Sequence, residues 1–288
     1  MDLITIQALT MLYAIASLVL MSLGLAIVFG MMRVINLAHG EFMMLGAYAT
    51  VLATRNGINV WVAILIVAPL VVGIIGFIVE RLLIRFLYGR MIDTMLATWG
   101  LSLFFVGAVT TIFGATTESI AAPLGPLAIG SYKIGLYNIF LIIVAVVLLV
   151  GLYAVLRYTR AGLIARGTMQ SADMAAALGV NPRLVYSVTF TIGAALSGLA
   201  GGLLAPISTV LPTIGVFYIA KAFITVIGGG AAILTGTTSA SVLFGAINQI
   251  TTNVSDSVFG EVALLLAAVV LLRLLPQGIT GRFFRGAP

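Results

Sequence analysis

Long apolar runs, separated by short polar or glycine- and proline-bearing turns, dominate the chain. A helix that spans a membrane needs about 20 mostly apolar residues. The first such run covers Ile6–Phe29, with Gly24 late in it; Ala26 and Gly30 form a small-xxx-small pair that allows close helix approach. After Arg33 the apolar pattern resumes to about Ala53, and Arg55, Asn56 and Gly57 make a turn. Further runs cover Trp61–Val79, Met95–Phe113, Ile134–Leu156, Leu184–Leu204, Phe217–Ile233, Thr238–Ile250 and Val262–Leu275. The pattern predicts an all-α polytopic bundle of about 8 to 10 segments, at least one of them broken or re-entrant. It reads as one transmembrane domain over residues 1–288.

Composition removes the soluble alternatives. Hydrophobic residues make up 62% of the chain, charged residues 8%, and the mean hydropathy is +1.25. A soluble domain covers its surface with roughly a quarter charged residues. The net charge of +6 would suggest nucleic acid as a partner of a soluble protein. In an apolar chain the same arginines mark the cytoplasmic connections. They cluster at Arg81, Arg85 and Arg90, over Arg157–Arg183, and in the tail at Arg273, Arg282 and Arg285. The Thr116–Lys133 connection is poor in basic charge and carries Pro123, Gly125, Pro126 and Gly130, so it reads as an external loop. Even numbers of runs separate the basic intervals, which places all of them, and the C-terminus, on one side. The N-terminus lacks a basic n-region, so the first apolar run is expected to stay in the protein.

The stretch Arg33–Thr50 concentrates polar groups at membrane depth. It holds Asn36, His39 and Glu41 beside Gly40 and Gly46. Such groups are costly there unless they face a cavity or other protein. His39 and Glu41 are two apart and point to different faces of a helix, so they do not form an acid–base pair. No GxSxG pattern occurs, and the dipeptide Gly-Lys of a phosphate-binding loop is absent. An ATP-driven protein with this sequence needs its ATPase on another chain. There is no cysteine and a single histidine, which excludes thiolate and multi-histidine metal sites, and no cofactor is implied. His39 and Glu41 therefore either line a pathway or hold a broken helix in place. An ion-coupled carrier or channel would also use such groups. Asp93, Asp256 and Glu261 are expected to cap helix ends. Gly198 and Gly202 form a GxxxG pair for helix packing, with Ser197 and Gly201 at the same spacing. The pair Gly230 and Gly236, downstream of Lys221, echoes Gly40 and Gly46 downstream of Arg33, as in transporters with inverted repeats.

Within Arg157–Arg183, the segment SADMAAAL (Ser171–Leu178) lies between Gly167 and Gly179 and is followed by Asn181-Pro182. It predicts a helix of about two turns. Met174, Ala175 and Leu178 form its apolar face, which needs cover from a partner or from the bundle itself.

These two regions carry a resemblance. RVINLAHGEFMMLGAY resembles the signature of the branched-chain amino acid ABC importer permeases, the LivH-like membrane subunits. GLIARGTMQSADMAAALGVNPRLVYSVTFTIGAALSGLAGGLLAP resembles the cytoplasmic loop and following helix of the same family. The resemblance implies a permease of the bacterial inner membrane. Its implied partners are a second related permease chain, two cytoplasmic ATPase subunits and a periplasmic substrate-binding protein. It also implies that Asp173, Met174, Ala175, Leu178 and Gly179 form the helix that docks on the ATPase. The family pattern there is EAAxxxG; this chain has Asp in the Glu place and Met in the first Ala place, and the isoleucine and proline expected further on stand at other spacings. Similar permeases serve leucine, isoleucine and valine, and closely similar ones serve urea or short amides. The implied activity is alternating access, with Asn36, His39 and Glu41 organising a broken helix beside the cleft.

Overall fold

In the computed structural model, which describes residues 2–130, 132–230 and 232–281, the apolar runs are helices. Arg282 and Arg285, grouped above with the basic tail, lie outside the described residues. Helix α1 spans Asp2–Met32 and ends at Arg33, the one described non-glycine residue with a positive φ, 52°. A coil over residues 33–38 separates it from α2 (His39–Arg55). Next, α3 (Val60–Val62), a π-helical turn (Ala63–Val67), α4 (Ala68–Leu82) and a 3₁₀ turn (Ile84–Phe86) together form one apolar span, Val60–Phe86. The π turn has a local cause. Pro69, in the first turn of α4, has no N–H to return to the preceding turn, and its ring crowds the carbonyl four residues back.

Helix α5 covers Met91–Phe113. An antiparallel hairpin, β1 (Pro126–Ile129) with β2 (Tyr132–Gly135), pairs Pro126 with Gly135; it starts inside the interval read as loop and takes in the first two residues of the run read from Ile134. The polar interval after α6 (Leu136–Tyr158) is also mostly helical, as α7 (Arg160–Gln170) and α8 (Ala172–Ala177). Then follow α9 (Pro182–Leu204), α10 (Ile214–Gly229), α11 (Ile233–Val254), α12 (Ser257–Leu274) and α13 (Gly278–Gly281).

Six described helical stretches are long and apolar enough to cross a membrane, and α10 with α11 forms a pair bent by 114° that counts as a broken span or a re-entrant loop. With the shorter α2, these give the all-α polytopic bundle that the apolar periodicity predicts. Large apolar side chains stay exposed along α5 (Leu103, Phe104, Ile112), α6 (Val146, Val147, Val150) and α12 (Leu266, Val269, Val270), as suits contact with lipid.

The chain divides into two compact units. One comprises the described residues of Leu23–Ala121 and Val150–Ala220; the other comprises those of Met1–Ser22, Ala122–Leu149 and Lys221–Pro288. In the first unit α2, α4 and α9 pack together around small residues. A Cβ on Gly46 would overlap the backbone of Gly198, and one on Gly201 would overlap the Met43 carbonyl. Backbones can approach that closely only where no side chain intervenes. Phe42 fills the gap beside this seam, edge-on to Phe105 at 5.6 Å and to Phe190 at 6.0 Å between ring centroids. In the second unit α11 packs on α12, with Leu18, Ala240, Phe244, Leu264, Ala268 and Leu271 as the buried cluster.

Candidate functional site: a broken helix and an exposed coupling helix

Every polar residue singled out between Arg33 and Thr50 is buried. Asn36 lies in the coil and accepts from the Ala38 N–H through Oδ1 at 3.0 Å. Thr98 of α5 reaches into the same coil, and its hydroxyl oxygen accepts from the Leu37 N–H at 3.0 Å. Side chains thus take over two of the backbone N–H groups that the break leaves without a helical partner. His39 opens α2, with Nδ1 3.1 Å from Ser197 Oγ on α9. Ser197 Oγ also lies 2.8 Å from the Gly193 carbonyl of its own helix, so one hydroxyl links His39 to the α9 backbone.

Glu41 is 1% exposed. Ser102 of α5 hydrogen-bonds its side chain, and its Oε1 lies beside Gly215. Its Oε2, like the Tyr48 hydroxyl about two turns further along α2, is buried with no hydrogen-bond partner among the described residues. Buried polar atoms are usually matched, so these two set α2 apart from the apolar helices around it. Gly40 and Gly46 do not break α2, which is continuous through both. Gly40 sits against the Gly215 backbone and Gly46 against Gly198, so both serve close approach rather than bending. Gly198 also meets Val72 and Ala68, and Gly202 meets Thr50 and Ala68, which places the GxxxG pair at the α2–α4–α9 junction.

The short helix predicted at Ser171–Leu178 is α8. Ser171 caps it, accepting from the Met174 N–H at 3.2 Å, and Asp173 stands in its first turn where the helix dipole favours an anion. It closes at Gly179, whose φ of +85° only glycine adopts without strain. There the Val180 N–H donates to the Ala175 carbonyl at 3.0 Å and the Gly179 N–H to the Ala176 carbonyl at 2.9 Å, the two bonds of a Schellman closure. Of the predicted apolar face, Ala175 turns inward, while Met174 is 66% and Leu178 81% exposed.

Among the acids expected to cap helices, Asp256 does so, accepting from the Val258 and Phe259 N–H groups. Asp93 stands in the first turn of α5, 3.8 Å from Arg90. Glu261 does not cap. It pairs with Lys221 at 2.5 Å, because the second turn of α12 has no orphan N–H for it to meet. Sequence reasoning also missed Glu80, which stands next to the basic cluster that begins at Arg81. It is 2% exposed, and its carboxylate accepts from Ser187 Oγ at 2.6 Å and from the Tyr88 hydroxyl. Burial, then the Glu80 carboxylate, push the Tyr88 phenol well above its ordinary range. A signal for this pairing exists in neither neighbourhood of the sequence, since Glu80 and Ser187 are far apart along the chain.

Residues 7–275 match the family described as the permease component of branched-chain amino acid transport systems. The high-affinity branched-chain amino acid transport system permease protein LivH of Escherichia coli is 27% identical over 279 residues, covering 91% of either chain. The corresponding protein BraD of Pseudomonas aeruginosa is 27% identical over 280 residues with the same coverage. A probable branched-chain amino acid transport permease protein LivH of Methanocaldococcus jannaschii is 26% identical over 92% of this chain and 88% of its own. No solved structure matches the chain.

Proposed function

The chain belongs to the family of permease components of branched-chain amino acid transport systems, and from that premise we propose that it moves a branched-chain amino acid or a similar small solute by alternating access, driven by ATPases on separate chains. It is a multi-pass membrane permease subunit of an importer. In our reading it sits in the bacterial inner membrane with Arg81–Arg90, Arg157–Arg183 and the C-terminus in the cytoplasm. Two ATPase subunits bind below, a second related permease completes the cleft, and a periplasmic protein delivers the solute.

One observation carries this reading. The exposed α8 is joined through Asn181 directly to α9, and α9 is the helix whose small residues seat α2. Four residues, 178–181, join α8 to α9, and the last of them, Asn181, caps α9 through the Arg183 and Leu184 N–H groups. A push on Met174 and Leu178 is transmitted along α9 as one body. Because Gly46 and Gly201 leave no side chain to deform, α2 moves with it. Asn36, His39, Gly40, Glu41 and Gly46 then shift relative to the cleft. Asp173, Met174, Ala175, Leu178 and Gly179 are the coupling end of this lever, and Gly198 and Gly202 its bearing.

The test is uptake of labelled leucine and of labelled urea into vesicles holding the assembled importer. Leucine uptake that requires internal ATP, and that Leu178→Asp abolishes while the chain still folds, is the expected result. Uptake by the lone chain under a proton gradient without ATP would overturn the proposal in favour of an ion-coupled carrier. The buried, incompletely paired Glu41 carboxyl is the feature that favours that second reading.

A further inference from the structure

A cavity of about 250 Å³ lies within the first unit where α1, α6, α7 and α9 meet. Its walls include Ile27 and Met31 of α1, Val155 of α6, Ala165 of α7, and Val188 and Ile192 of α9. Thr189 is the one polar side chain in the lining, and its hydroxyl is directed to Met31 Sδ at 3.9 Å. Such walls hold nothing for the ammonium and carboxylate of an amino acid or the amide of urea, because an unmatched polar group would be desolvated there. They suit hydrocarbon.

The sequence next to the lining residues has the opposite character. Arg157, Arg160, Arg166 and Arg183 each adjoin a lining residue in sequence: Leu156, Ala161, Ala165 and Leu184. Arg157, Arg160 and Arg183 are exposed, and none of the four is in an ion pair among the described residues. Arg166 keeps its Nε buried with no hydrogen-bond partner among them. The α6–α7 corner, which carries Arg157 and Arg160, is built in. Thr159 caps α7 by accepting from the Gly162 N–H at 3.0 Å, and Gly162 packs so tightly on the Val155 and Leu156 backbone that any side chain there would clash.

We propose that this cavity binds an anionic phospholipid, one acyl chain between α1, α6, α7 and α9 and the phosphate against Arg157, Arg160, Arg166 and Arg183. Basic pockets between transmembrane helices at the membrane surface select anionic headgroups in this way. The site rests on the membrane location of these helices and not on the identity of the transported solute. It lies at the root of the α7–α8 arm, yet Met174 and Leu178 do not line it. A lipid seated there would therefore stiffen the arm while leaving the apolar face of α8 uncovered.

The experiment is native mass spectrometry of the full-length chain, purified in detergent with whatever subunits accompany it. It would be titrated in parallel with dioleoyl phosphatidylglycerol and dioleoyl phosphatidylcholine. The expected result is retention of phosphatidylglycerol on the order of a hundredfold or more tighter than phosphatidylcholine, with the preference falling on the order of fivefold per arginine in R157Q, R160Q and R183Q. Val188→Trp, which fills the cavity, should abolish retention of both lipids. Ala165→Leu is the smaller change to use if that variant melts early, and the exposed arginine variants do not depend on either. Equal binding of the two lipids overturns the proposal, and so does an unchanged preference in the triple arginine variant. Full phosphatidylglycerol retention in a folded cavity-filled variant also overturns it, since the arginines would then read the headgroup without the cavity. A dimer that the filled cavity dissociates, with no lipid retained by the wild type, would assign the cavity to a second copy instead.

Discussion

Two helices in this protein begin just after a chain break, and the breaks are closed by the same device with different surroundings. Before α2, Leu37 donates its N–H to the Thr98 hydroxyl. Before α11, the Ala232 N–H donates to the Thr280 hydroxyl at 3.2 Å, and the same hydroxyl donates to the Gly229 carbonyl at 2.6 Å. In each case a threonine from elsewhere in the same unit supplies what an unbroken helix would have supplied itself. Beside the first break stand the buried His39, Glu41 and Asn36. Beside the second, glycines pack on glycine and threonine: Gly229 on Gly236, and Gly230 on Thr280 and Gly278. A break in a membrane helix is thus a structural element in its own right, and only the first of the two has ionisable side chains buried beside it. The α1–α2 break stands beside a buried carboxyl with one unmatched oxygen, whereas the one described unmatched side-chain atom of α11 is a neutral hydroxyl, Ser241 Oγ.

The largest effects should come from filling the seams behind the breaks. Gly46→Val would place its side chain in the Gly198 backbone, and Gly229→Val in the Gly236 backbone. Overpacking costs about 1–3 kcal/mol where side chains can shift and more against backbone. Both variants should lose most of their folded material in detergent size-exclusion chromatography. If only Gly229→Val does so, the α2–α9 contact is looser than the geometry shows and α9 cannot drive α2.

Next come the threonines. Thr280→Val orphans one carbonyl and one N–H, while Thr98→Val orphans one coil N–H, its own proton going to the Thr94 carbonyl of its own helix. With about 1–3 kcal/mol for each buried group left unmatched, Thr280→Val should lower the thermal midpoint roughly twice as far as Thr98→Val. Equal shifts would mean that water replaces the lost hydroxyl at one break.

The helices were legible in the sequence because apolar runs longer than about 17 residues have few other readings. So was α8, where Ser171 and Gly179 carry their own capping chemistry. The β1–β2 hairpin was not, since four-residue strands such as PLAI and YKIG are too short to show alternation. Helix α7 was hidden by Arg160, Arg166 and Gly167, polar or flexible residues that a surface helix tolerates once Thr159 and Gly162 fix its start. At the candidate site the residue types were readable and their partners were not. Ser197 for His39, Ser102 for Glu41 and Ser187 for Glu80 all come from distant helices, and serines carry no pattern that announces a partner. The glycine echo located both breaks but not their register: Gly40 lies within α2, whereas Gly230 lies before α11.

Glu41→Gln probes the chemical difference between the breaks. Replacing a buried carboxyl by its neutral isostere should change stability by no more than about 1 kcal/mol, because the desolvation of a charge is removed together with part of its hydrogen bonding. If the polar atoms beside the first break serve transport, uptake should fall while the melting temperature holds. Glu261→Gln loosens the half-exposed pair with Lys221 and should leave uptake near the wild-type value. Uptake unaffected in Glu41→Gln would reduce the first break to a structural feature like the second.

The smallest effect concerns how the first break begins. Arg33 adopts φ 52° after the last turn of α1, its N–H still donating to the Phe29 carbonyl at 2.9 Å. The second break opens with Gly230 at φ 86°, where the left-handed conformation carries no side-chain penalty. An arginine in that region costs about 1 kcal/mol relative to glycine. Arg33→Gly should therefore raise the thermal midpoint slightly by relieving the strain, with part of the gain cancelled by the greater freedom of glycine in the unfolded chain. It should leave the hydrogen bonds of Asn36 and Thr98 in place. A lower midpoint would mean that the Arg33 side chain itself anchors the end of α1, and that the two breaks differ in how they start as well as in the chemistry beside them.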